Sequence, residues 1–279
     1  MKLVTFTNLG FLHYVLMQYY YLCSFNLQDN YIIYFYGSDK DYENLKRCNL
    51  KCELRRFKST FFNFDNSKID MNKIVYCGED LSYNRFCAYK LESFFKVMNE
   101  FGSATYLDPD QAILENLYQD LKCTLGDSAF ALKIYTNTPT DKQEMVLGKL
   151  VNLGIISANK CNESVKYLNQ TFKLLQDSHK DKHNLDEVIF TKIMSDKTCF
   201  NLISDKINLL NNEKKYFNKE EIIGYTKSFH PTFISGPTKI DILINLDRWC
   251  NEIFVDNLNY IRVLPEVTRK LLYKRGLQI

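Results

Sequence analysis

Asp108 and Asp110, separated by Pro109, are the residues of this sequence whose types and spacing point most directly to chemistry. Proline fixes its own φ and biases the residue before it toward extended geometry, so the tripeptide presents two carboxylates stiffly. Two acidic groups this close repel unless a cation lies between or beside them. A hard divalent ion such as Mg²⁺ or Mn²⁺ answers that need, because it takes one or two carboxylates together with phosphate oxygens and water. A solvated turn is the ordinary alternative, since Asp and Pro both favour turns. Position favours the metal reading. The pair directly follows the apolar run Ala104-Thr105-Tyr106-Leu107, which reads as a buried strand, and open α/β sheets bind ligands outside the carboxyl ends of their strands.

His230 is the second candidate. A lone histidine is commonly a core or capping residue, but this one is followed by the turn Gly236-Pro237-Thr238-Lys239 and by a stretch expected to be helical through Leu246. Backbone N–H groups at a helix start attract phosphate, and Lys239 adds a point charge to the same stretch. One loop could therefore supply a metal ligand and a diphosphate clamp together.

The elements that must position these groups follow from the apolar pattern. Lys2 to Thr7 reads as a short buried strand, broken by Asn8-Leu9-Gly10, and the segment to Phe25 is apolar enough for a buried helix. The continuous run Tyr31 to Tyr36 marks a strand covered on both faces. Gly37-Ser38-Asp39 is a turn from which Asp39 or a neighbour caps the helix implied by Tyr42 and Leu45, and Lys51 to Phe57 reads as a third strand. Strand, helix, strand, helix, strand predicts a parallel sheet with helices on its faces. Residues 58–82 read as a polar surface loop, Tyr83 to Glu100 as a helix, Ala129 to Ile134, Leu150 to Ser157 and Phe200 to Ile203 as strands, and Glu163 to Gln176 and Leu185 to Met194 as helices.

Composition bounds the function. The 279 residues are 46% hydrophobic and 25% charged, with 10 Gly and 5 Pro, which excludes a disordered or fibrous chain. A balance of 36 basic against 33 acidic residues lacks the basic excess of a general nucleic-acid binder. Nine cysteines, odd in number and scattered, fit reduced thiols, and no second Cys/His pair follows Cys48 and Cys52 to make a zinc site. The apolar run Phe11 to Met17 is interrupted by His13 and ended by Gln18, too short to span a membrane and without a signal-peptide cleavage site. A cytoplasmic protein is expected, and the acceptor patterns at Asn162 and Asn169 carry no weight without a secretory route.

Five segments in order resemble the GT-A fold glycosyltransferases of the nucleotide-diphospho-sugar transferase type. They are Val4-Thr5-Phe6-Thr7-Asn8, then Ala88-Tyr89-Lys90-Leu91 through Asp108-Pro109-Asp110, then Val151-Asn152-Leu153-Gly154-Ile155-Ile156, then Asn184-Leu185-Asp186-Glu187-Val188-Ile189-Phe190, and Phe229-His230 to Lys239 running on to Leu246-Asp247-Arg248-Trp249. The resemblance implies a mixed, mostly parallel Rossmann-like α/β sheet flanked by helices, in a single domain over residues 1–279. Within it, residues 1–110 form a nucleotide-binding half, 111–250 an acceptor half and 251–279 a C-terminal extension. The family often carries a membrane anchor or secretory signal in eukaryotes, and the lack of one in this sequence fits a cytosolic enzyme of a microbe or virus.

The resemblance further implies sugar transfer from a nucleotide-diphosphate donor, with uracil the expected base and guanine open, to a hydroxyl of a glycan or glycoconjugate. Mn²⁺ or Mg²⁺ would be held by Asp108, Asp110 and His230, with Asp110 the more direct ligand. Thr5, Thr7, Asn8 and Asp39 would line the base and ribose pocket, and Lys90 would approach the donor, a solvated lysine being the alternative. Asn152 would meet sugar hydroxyls or simply end a strand. Gly236 and Lys239 would hold the diphosphate. Asp186 would be the carboxylate nearest the anomeric carbon, as a general base or as a stabiliser of positive charge, or else an acid favoured by the helix dipole. Glu187 departs from the family, which often has Gln there. Two other readings stay open, a non-catalytic glycan- or partner-binding protein on the same scaffold and an Asp-x-Asp phosphotransferase.

Overall fold

The computed structural model describes residues 1–62, 81–135, 149–177, 185–210, 222 and 225–231. The expectations for Gly236, Lys239, the helix through Leu246, residues 251–279 and most of the 58–82 loop lie outside the described residues. In chain order the elements are β1 (Lys2–Thr7), α1 (Leu12–Ser24), β2 (Tyr31–Phe35), α2 (Asp39–Lys46), β3 (Glu53–Arg56), α3 (Leu81–Phe101), β4 (Ser103–Leu107) and β5 (Ala112–Ile113). They continue with α4 (Tyr118–Leu125), β6 (Phe130–Ile134), β7 (Val151–Asn159), α5 (Asn162–Asp177), α6 (Leu185–Met194), β8 (Phe200–Leu202), β9 (Leu209–Leu210) and β10 (Ser228–His230).

Seven strands form the main sheet in the order β3-β2-β1-β4-β7-β6-β8. The expected α/β architecture is present: β3, β2, β1 and β4 run parallel, as do β6 and β8. β7 runs antiparallel to both β4 and β6, which makes the sheet mixed. Side chains alternate faces along each strand, and both faces are covered. Tyr31, Ile33 and Phe35 of β2 pack into a core with α1, whose residues Leu12 to Leu22 are all buried. Ile32 and Tyr34 face the other way, into a core shared with α3, α5 and α6. A helix apolar on every side belongs in an interior, which is why α1 lacks a polar face. Ser38 caps α2, its Oγ accepting from the Asp41 N–H at 3.2 Å, so the turn residue before Asp39 does the capping.

Four elements were not expected. α4 follows the aspartate turn, and β5, β9 and β10 form a separate three-stranded sheet in the order β5-β10-β9. β10 pairs antiparallel with β5 and parallel with β9. This small sheet matters for the site, because β5 begins two residues after Asp110 and β10 ends on His230.

Candidate functional site

Asp108 and Asp110 leave the carboxyl end of β4 in a tight turn. The Asp108 N–H donates to the Gly154 carbonyl of β7 at 2.7 Å, and the Gln111 N–H returns to the Asp108 carbonyl at 3.1 Å. β10 brings His230 against this turn, with its Nε2 3.2 Å from Asp110 Oδ1 and 3.7 Å from Asp108 Oδ2. One ligand atom from each of the three residues lies within 4.8 Å of the other two. Asp110 and His230 are buried, and Asp108 is half-buried.

The ring of His230 lies directly on the backbone of Gly154, where a Cβ would stand 2.4 Å from Cε1 and 2.6 Å from Nδ1. The local course of β7 makes this approach possible. The pairing of β7 with β6 jumps from Asn152↔Lys133 to Ile156↔Leu132, so residues 153–155 bulge out of that ladder. A bulge re-aims the strand, and here it turns Gly154 toward the imidazole. Two hard carboxylate oxygens and an imidazole nitrogen suit Mn²⁺ or Mg²⁺, and the mutual repulsion of the carboxylates supplies the reason for a cation. The buried Nδ1 of His230 has no hydrogen-bond partner among the described residues. The residues present therefore fit the ion that the resemblance implies.

Lys90 of α3 enters the same place from the opposite core. Its Nζ is 3.3 Å from Asp186 Oδ2 and 3.6 Å from Asp108 Oδ1. Burial alone would favour the neutral amine, but Asp108 and Asp186 together outweigh it and hold the ammonium well above the ordinary lysine range. The solvated-lysine alternative is thereby corrected: the side chain is 7% exposed and sits between two carboxylates. Asp186, in the first turn of α6, is 1% exposed and so combines its dipole-favoured place with a buried ion pair.

Glu187 is a node that the sequence showed only as a departure from a family pattern. It accepts hydrogen bonds from the Leu153 N–H at 3.0 Å, from Asn152 Nδ2 at 3.2 Å and from the Tyr135 hydroxyl at 3.1 Å. Burial, and then the neighbouring Asp186 charge, push its carboxyl up to about 8. Asn152 lies at the start of β7 and not at a strand end, and its amide is engaged by protein. Nδ2 also donates to Tyr135 Oη at 2.8 Å, and Oδ1 accepts the Gly154 N–H at 3.1 Å. Tyr135 directly follows β6, and its pairing with Glu187 across 52 residues has no signature in the sequence.

The remaining expected residues lie within β1, just after it and at the start of α2. Thr5 and Thr7 are buried in β1, and Thr7 Oγ1 donates to the Asn8 carbonyl at 3.0 Å. Asn8 Oδ1 accepts the Phe11 N–H at 3.2 Å and so shapes the entry to α1. Asp39 is 81% exposed and pairs with Arg56 of β3. His13, noted in the sequence only as interrupting an apolar run, is buried in α1 with neither ring nitrogen hydrogen-bonded among the described residues. Burial lowers it to about 3, with Asp110 pulling the other way, so it is a neutral imidazole near the acidic pair.

No family model matches this sequence, and no curated protein matches it. Solved structures do. The galactosyltransferase LgtC in complex with donor and acceptor sugar analogues aligns over 97% of this chain and 100% of its own, with a TM-score of 0.64 and 13% identity. The apo structure of the bifunctional glycosyltransferase WbbM aligns over 91% of this chain with a TM-score of 0.56 and 12% identity, and this chain spans only 51% of it. The apo glycosyltransferase GlyE of Streptococcus pneumoniae aligns over 96% of this chain and 63% of its own, with a TM-score of 0.53 and 12% identity. The chain has the GT-A fold of these glycosyltransferases. Among the described residues no helix is long and apolar enough to cross a membrane.

Proposed function

We propose that this chain is a metal-dependent glycosyltransferase that moves a sugar from a nucleoside-diphosphate sugar, a uridine diphosphate sugar first, to a hydroxyl of a glycan or glycoconjugate. The observation that carries the reading is the convergence of Asp108, Asp110 and His230 at the carboxyl end of β4, within a fold that LgtC uses while holding donor and acceptor sugar analogues. Asp108, Asp110 and His230 would hold Mn²⁺ or Mg²⁺. A divalent ion bound there neutralises the charge that develops on a departing diphosphate.

Under this reading the other residues take the following roles. Lys90 keeps a fixed positive charge against Asp108 and Asp186, which orients both carboxylates without competing for solvent. Asp186 is the carboxylate offered to the reacting sugar, as base toward the acceptor hydroxyl or as a counter-charge to a cationic anomeric carbon. Glu187 acts one step back, fixing Asn152 and the Leu153 backbone and with them the bulge under His230. Gly236 and Lys239 remain the proposed diphosphate clamp, and Thr5, Thr7, Asn8 and Asp39 the proposed nucleoside side of the pocket.

The test is thermal. Manganese with uridine diphosphate raises the melting temperature of the wild type, and neither component shifts Asp110→Ala. Slow hydrolysis of a nucleotide sugar without acceptor then separates an enzyme from a binding protein on the same scaffold. No shift with any common nucleoside diphosphate, with manganese or magnesium, overturns the reading.

A further inference from the structure

The two aspartates and the histidine reach the site on separate elements, and the small sheet that joins them is weak. β5 and β10 share only the register pairs Ser228↔Ile113 and Phe229↔Ala112. A one-residue slip in so short a ladder would turn His230 to the opposite face. Pairing with β9 and backbone bonds at Lys227 hold β10 as well, and a side-chain contact can reinforce them.

Gln111 is placed to do so. It follows Asp110 directly, and it is 2% exposed. Its Nε2 donates to Asn208 Oδ1 at 2.8 Å and to Ser228 Oγ at 3.0 Å. Ser228 opens β10, two residues before His230, and its Oγ lies 2.8 Å from the Ile207 carbonyl. From the other side Gln18 of α1 grips the same turn, its Nε2 donating to the Asp108 carbonyl at 3.0 Å and to the Gln111 carbonyl at 3.2 Å. Gln18 is itself held by the Tyr31 hydroxyl, which donates to Oε1 at 2.5 Å. A buried amide is costly unless it is bonded, and an apolar side chain of similar volume would fill the same space. What the amide adds is direction.

We propose that Gln111 is a positioning residue for the cation site, its side-chain amide pinning the aspartate turn to the strand that carries His230. The side chain of Gln111 acts through Ser228 and Asn208. The inference rests on the reading of Asp108, Asp110 and His230 as a cation site, and it assigns the residue that makes those three arrive together.

The experiment uses the full chain and manganese alone, titrated and followed by the electron paramagnetic resonance signal of the free ion. Four proteins are compared: wild type, Gln111→Leu, His230→Ala and the double variant, each first melted in chelator to confirm that it folds. Gln111→Leu weakens manganese binding about tenfold to a hundredfold, the usual scale for an outer-shell partner of a metal ligand. In the His230→Ala background the same substitution has no further effect, because the arm it positions no longer contributes a ligand.

Should Gln111→Leu fail to fold, Ser228→Ala removes the hydroxyl that the amide reaches and is read in the same cycle. Binding by Gln111→Leu that matches wild type, or an equal loss with and without His230, overturns the inference and leaves the cation site standing. Absence of manganese binding by the wild type overturns the site and this inference with it.

Discussion

Lys90 Nζ lies 3.3 Å from Asp186 Oδ2, a contact between the middle of α3 and the first turn of α6 that ties two helices to one buried charge. Both side chains are nearly inaccessible, so each ion depends on the other to offset lost hydration. Removing one member of such a pair typically costs about 3–5 kcal/mol, since the partner charge is left uncompensated. Lys90→Met should therefore unfold at a clearly lower urea concentration than wild type. It should also lose donor hydrolysis about a hundredfold or more where it does fold. A substitution that leaves both stability and hydrolysis intact would contradict the arrangement.

Glu187 sets a pH dependence whose sign follows from its raised carboxyl. The folded protein holds a proton up to about 8, whereas the unfolded chain releases it near the ordinary value of 4.5. Between those values the native state binds more protons, so this group's contribution to stability is fullest at low pH and is lost as pH rises toward 8. Glu187→Gln removes the titration while keeping an acceptor for the Leu153 N–H. Melting curves from about pH 5 to pH 8 should show a flatter alkaline decline in the variant.

His13 contributes the opposite slope. Its folded value of about 3 lies below the ordinary 6.5, so the unfolded chain takes up protons first. That contribution is present above about 6.5 and is lost as pH falls toward 3. His13→Phe buries no unpartnered nitrogen and should resist acid better than wild type, read as a lower pH midpoint of acid unfolding.

Gly154→Ala places a methyl group 2.4 Å from the Cε1 of His230. The imidazole must move, and overpacking of this kind costs about 1–3 kcal/mol. Manganese affinity should fall about tenfold while affinity for free nucleoside falls far less. Isothermal titration of each ligand separates the two effects.

The chemistry was readable where a local pattern announced it. The apolar run Ala104 to Leu107 predicts a strand, and a strand end is where Asp108 and Asp110 gain meaning; the structure puts them there, beside His230. Lys90 was recognisable by type, but its burial comes from Asp108 and Asp186, which are distant in sequence. Glu187 and Tyr135 meet across a gap spanned by several elements, and nothing in either neighbourhood foretells the other. β5 and β9 have two residues each and β10 three, too short to carry a periodicity. The antiparallel course of β7 against β4 and β6 is not written in its own residues, which read only as a buried strand. The reading of the first sixty residues fared best because long apolar runs dominate there.

His230, at the end of β10, meets the aspartate turn at one corner of a core that the small and large sheets share, far along the chain from Asp108 and Asp110. An ion gripped at that corner would be a rivet between two distant stretches of chain. An ion held only by the folded arrangement is released on unfolding, so it would stabilise the native state by mass action, more strongly the tighter it binds. On that footing the ion would also be a structural one, and stripping it would first loosen the end of β10 from the aspartate turn.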